Sequence, residues 1–115
     1  MPVSNLYQAF ALTRSELDAS PGDLLLQFGV DGCGNCQRAE PGIAEALKAF
    51  PSLHHLRVED GAGRPLGRTF RVRLWPTLVL LRNGQEVDRL VRPTQTAQVI
   101  ALLRLLGAEP TRSHG

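Results

Sequence analysis

Only two cysteines occur in the 115 residues, Cys33 and Cys36. That excludes a disulfide scaffold, which spreads several cysteines across its loops. Lysine is almost missing too: Lys48 is the single lysine beside twelve arginines. Arginine and lysine differ physically, but the count reads as compositional bias and assigns no role. Charge of one sign is scarce, with a net of +2, so neither nucleic acid nor an anionic membrane surface is an expected partner. Long hydrophobic runs are absent; Leu78–Leu81 is typical and far too short to span a bilayer. Met1–Leu12 has no basic stretch followed by an apolar one, so no secretory signal is read there. A soluble cytoplasmic protein is the expectation.

What is present suits one domain. A hydrophobic content of 43% is enough for a single core at this length, and 21% charged residues argue against wholesale disorder. No internal repeat or linker divides the chain. One domain is expected over residues 1–107, with 108–115 as a flexible tail.

Leu6–Leu12 suits a short first strand. Thr13-Arg-Ser-Glu16 fits a capping box opening a short helix, stopped by Ser20-Pro21-Gly22. Leu24–Phe28 is an apolar run of the kind used by a buried central strand. From Cys33 to Phe50 the chain reads as a helix, with Ala39, Ile43, Leu47 and Phe50 on one face and a kink expected at Pro41. Leu53–Glu59 is a second central strand, completing a βαβ unit with the cysteines at its strand-to-helix turn. Asp60–Gly67 is loop or a loosely wound helix start. Thr77–Arg82 and Glu86–Val91 are strands joined by Asn83-Gly84, a tight-hairpin signal. A last helix is expected over Thr94–Leu106, ended by Gly107. Val99, Ile100, Leu103 and Leu106 form its core stripe, leaving Leu102 and Leu105 surplus to it.

The cysteine pair has a definite chemical logic. Cys33 falls where free backbone N–H groups and the helix dipole favour an anion, hence a thiolate nucleophile. Cys36 lies one turn further on, placed to resolve a mixed disulfide formed at Cys33. Gly34 keeps the approach to Cys33 open, and with Asn35 it is a candidate substrate contact. Zinc held with His54 and His55 is disfavoured, because adjacent strand residues point to opposite faces.

Over roughly residues 24–106 the chain resembles the thioredoxin family. The resemblance rests on the apolar strand before the motif, on Cys33-Gly-Asn-Cys36, and on Pro41 five residues later. It continues through Arg73-Leu-Trp-Pro-Thr77, the strand after it and the Asn83-Gly84 turn. It implies an α/β fold, a central mixed sheet of four or five strands with helices on both faces. It also implies a cis peptide bond before Pro76, with Trp75 and Pro76 facing Cys33 and pairing with an extended substrate. The implied activity is thiol–disulfide exchange on protein disulfides, with no cofactor because the dithiol carries both electrons. The implied partners are a substrate protein and a reductase as electron donor.

Three positions depart from the family pattern. Gly32 stands where tryptophan usually precedes the first cysteine. Gln27 stands in place of a buried aspartate thought to move protons for the second, and His55 in place of a nearby lysine. Gln27 cannot titrate, whereas His55 has a suitable intrinsic pKa and is the candidate proton carrier. The Gly34-Asn35 dipeptide leaves the direction of electron flow open between reductase, oxidase and isomerase. An alternative of another class is a thioredoxin-fold binding or chaperone module that holds a partner without turnover. Arg64, Arg68 and Arg71, on one face if their segment is helical, would with Arg73 steer an acidic partner.

Overall fold

The computed structural model describes residues 7–112, and the side-chain surroundings of residues 7–106. The elements run α1 (Arg14–Asp18), β1 (Asp23–Gly29), α2 (Gly34–Leu47), β2 (His54–Glu59), α3 (Pro65–Thr69), β3 (Thr77–Arg82), β4 (Gln85–Val91) and α4 (Thr96–Arg112). One four-stranded sheet has the order β2-β1-β3-β4. β1 pairs in parallel with β2 and antiparallel with β3, which pairs antiparallel with β4.

Strand alternation explains the two cores. Leu25 and, from β3, Leu78 and Leu80 face α2 and α4, where they meet Ile43, Val99 and Leu103. Leu26, Phe28, Val79 and Leu81 face the other way, against Leu17, Leu66 and Phe70. β1 and β3 are thus covered on both faces, which is why they read as apolar runs, interrupted in β1 by Gln27. The same alternation places Leu25, Gln27 and Gly29 on the α2 side.

Local signals account for most element boundaries. The Thr13 side chain accepts from the Glu16 N–H and the Glu16 carboxylate accepts from the Thr13 N–H, closing the expected capping box. Asn83 and Gly84 both take positive φ, 51° and 82°, in the tight turn between β3 and β4. A Cβ on Gly84 would stand 2.0 Å from the Asp18 carbonyl oxygen, so the turn packs against α1 only with glycine there.

Several expectations need correction. Leu6 lies outside the described residues, and the segment after it makes a single bridge rather than a strand: Gln8 pairs with Val58 at the outer edge of β2. The chain then turns away, the Phe10 N–H bonding back to the Gln8 carbonyl at 3.1 Å. Helix α2 stops at Leu47 instead of Phe50, because Pro51 disfavours helical backbone at the residue before it. Helix α4 starts at Thr96, the Thr94 and Gln95 N–H groups being taken by the Gln98 side chain. It runs through Gly107 to Arg112, since glycine in a helix costs only about 1 kcal/mol and ends nothing by itself. Pro110 has no N–H for the Leu106 carbonyl, and Arg82 donates to that carbonyl instead, at 2.9 Å. Leu102 is buried in the core and Leu105 alone of the surplus pair is exposed. α3 is five residues long with Arg64 as its N-cap, and Arg71 lies beyond it at φ 58°. The arginines therefore share no helical face.

Candidate active site

β1 ends at Gly29 and a short turn delivers Cys33 as the N-cap of α2. The Cys33 backbone is extended, at φ −79° and ψ 119°, and its sulfur accepts from the Cys36 N–H at 3.2 Å. The side chain thus satisfies an N–H that the first turn of a helix leaves without an internal partner. Both cysteines stand as thiols, Cys33 half-buried and Cys36 buried beneath it. Gly34 is exposed; the Arg38 guanidinium lies over it and donates to Asn35 Oδ1 at 2.8 Å.

Trp75 and Pro76 precede β3, whose Thr77 pairs with Phe28 near the end of β1, so they stand at the end of the sheet from which Cys33 departs. The bond between them is cis. The indole of half-buried Trp75 donates to Asp60 Oδ2 at 2.8 Å, and the Asp60 N–H bonds to the Gly29 carbonyl, tying Trp75 to the end of β1. Arg92 holds the other side of the loop, its backbone N–H on the Pro76 carbonyl and its Nε on the Trp75 carbonyl, both at 2.9 Å.

Gln27 is fully buried, and around it lies a polar cluster that sequence reasoning found only in part. Its Nε2 donates to the Tyr7 hydroxyl at 2.8 Å and to Glu40 Oε1 at 3.1 Å, and its Oε1 faces His55 Nε2 at 2.7 Å. Arg57 closes the cluster as an ion pair with Glu40, both side chains largely buried. The register explains the meeting: Leu25 pairs with His55 and Gln27 with Arg57, so His55 and Arg57 point to the α2 side with Gln27. Burial, then the Arg57 charge, holds the His55 pKa down at about 4, against the pull of Glu40. His55 is therefore neutral at physiological pH and sits as a hydrogen-bonded neighbour of Gln27.

Tyr7, Glu40 and Arg57 were missed. Glu40 carried a signal, standing four residues after Cys36 and so on the same helix face. Tyr7 carried none, because its place depends on one bridge at Gln8 and on its N–H bonding Asp31 Oδ1 at 3.0 Å. Tyr7, Asp31, Cys36 and Glu40 line a cleft of about 450 Å³ between the first described residues and α2. The Cys36 thiol is pushed up to about 11, first by burial, then by its hydrogen bond with Cys33; the Val30 backbone and the Tyr7 hydroxyl act in the opposite sense.

A half-buried sulfur at a helix N-terminus, with a second, buried sulfur one turn on, defines a dithiol protein. The chain belongs to the thioredoxin family, whose model, described as Thioredoxin, matches residues 8–104. The structure of thioredoxin 2 from Pseudomonas aeruginosa PAO1 in its reduced form is similar over 90% of this chain and 96% of that one, with 48% identity and a TM-score of 0.82. "Thioredoxin-2" of Pyricularia oryzae is 34% identical over 68 residues, 59% of this chain and 40% of that protein. "Thioredoxin H2-1" of Oryza sativa subsp. japonica is 35% identical over 68 residues, 59% of this chain and 49% of that protein. The chain thus spans about half the length of these curated relatives. Among the described residues no helix is long and apolar enough to cross a membrane.

Proposed function

We propose that this protein exchanges thiols and disulfides on partner proteins through Cys33 and Cys36. Cys33, as thiolate, attacks a substrate disulfide and releases one substrate thiolate. Cys36 then attacks the resulting mixed disulfide, releases the second, and leaves the Cys33–Cys36 disulfide for re-reduction by a reductase. The dithiol carries both electrons and calls for no cofactor. Gly34, Asn35, Trp75 and Pro76 form the substrate edge, and the cytoplasm, which keeps thiols reduced, is the compartment that suits a reductant. The observation that carries this reading is the placement of Cys33 at the N-cap of α2, half-buried, above the buried Cys36.

A trapping experiment tests it. Cys36→Ser protein incubated with a disulfide-bonded protein substrate is expected to accumulate a mixed disulfide through Cys33, released by dithiothreitol. The double variant Cys33→Ser, Cys36→Ser distinguishes a binding module, which would keep its partner without any covalent adduct.

A further inference from the structure

A resolving cysteine attacks as its thiolate, and burial opposes forming that thiolate at Cys36. Gln27, buried on the α2 side of β1, cannot titrate. The hydrogen bonds around it leave one donor over. The Glu40 carboxylate only accepts hydrogen bonds, so the Gln27 amide turns its Nε2 towards it. That orientation aims the second amide hydrogen at the Tyr7 oxygen, and His55, neutral and protonated on Nε2, donates to Gln27 Oε1. With its oxygen accepting from Gln27, the Tyr7 hydroxyl has its own hydrogen left to give, and the Cys36 sulfur lies on the same side of Gly29. A Cβ on Gly29 would stand 2.7 Å from both the Tyr7 oxygen and the Cys36 sulfur, so the two groups meet over a glycine that leaves room for them.

We propose that Tyr7 is a catalytic residue of the resolving step, its hydroxyl donating a hydrogen bond that stabilises the Cys36 thiolate, with Gln27 and Glu40 as the residues that position it. This rests on Cys36 being the resolving thiol. Tyr7 is a donor and not a base: burial raises its pKa above the ordinary 10.0, so it stays protonated throughout. The Cys36 proton passes to water in the cleft that Tyr7, Cys36 and Glu40 line. The Cys36 sulfur then bonds to the Cys33 sulfur, the bond from Cys33 to the substrate sulfur breaks, and its electron pair leaves as substrate thiolate. The substrate is reduced and the cysteine pair oxidised. The charged and titratable groups facing this centre are Cys33, Asp31, Glu40, His55 and Arg57; the Arg57–Glu40 pair fixes the carboxylate that orients Gln27.

The test is stopped-flow reaction of the reduced protein with an aromatic disulfide that releases thionitrobenzoate. Wild type is expected to release two equivalents in succession, the first on attack by Cys33 and the second on resolution by Cys36. In Tyr7→Phe the second phase, read relative to the first, is expected to slow about ten-fold at neutral pH, with its pH midpoint moved about one unit upward. Glu40→Gln, which lets the Gln27 amide turn over, is expected to move the midpoint in the same direction by less. An unchanged second phase and midpoint in Tyr7→Phe overturns the proposal; if that variant does not fold, an unchanged midpoint in Glu40→Gln does so. Release of only one equivalent by wild type would instead overturn the role of Cys36 on which the proposal stands.

Discussion

Replacing His55 by glutamine is expected to make the protein more resistant to acid. Folding takes the His55 pKa from 6.5 to about 4, through burial and the neighbouring Arg57 charge. A histidine held neutral in the folded state gives stability that is complete above its unfolded pKa and lost as pH falls below it. Between 6.5 and about 4 the unfolded chain binds the extra proton, and acid draws the protein towards it. At about 1.4 kcal/mol per pH unit over that window, the loss by pH 4 is about 3 kcal/mol. Glutamine keeps an N–H for Gln27 Oε1 and has nothing to titrate. Urea unfolding of both proteins, above pH 6.5 and again near 4, isolates this contribution from carboxylates common to both. Equal losses of stability in wild type and His55→Gln would mean that His55 contributes nothing to the acid sensitivity.

Substitutions at three further positions probe the structure. Gly29→Ala places a Cβ 2.6 Å from Tyr7 Cζ and 2.7 Å from Cys36 Sγ; overpacking there is expected to cost about 1–3 kcal/mol in equilibrium unfolding. Asp60→Ala removes the acceptor of the chain's only indole N–H. It is expected to shift tryptophan fluorescence and cost about 1–2 kcal/mol, whereas Asp60→Asn keeps an acceptor and costs less. Thr13→Ala opens the capping box of α1 and is expected to cost about 1 kcal/mol, read from the urea midpoint.

Legibility in the sequence followed how local the cause was. The capping box, the Asn83-Gly84 turn, the apolar runs of β1 and β3 and the cysteine pair each depend on residues a few positions apart, and each was readable. The polar cluster was readable only at Gln27 and His55. Its assembly needs the β1–β2 register, which puts Arg57 beside Gln27, and the return of Tyr7 from the far edge of the sheet, and neither leaves a short-range pattern. The stop expected at Gly107 failed for a related reason. A helix that meets a proline can continue when something else serves the abandoned carbonyl, and here that donor is Arg82, twenty-four residues away in sequence.

Insulin-disulfide reduction with dithiothreitol as electron source, comparing wild type with Cys33→Ser, reads whether Cys33 and Cys36 turn over protein disulfides. Turnover well above the dithiothreitol background is expected in wild type and none in the variant. Folded, reduced wild-type protein that gives no rate above background would contradict the proposed exchange.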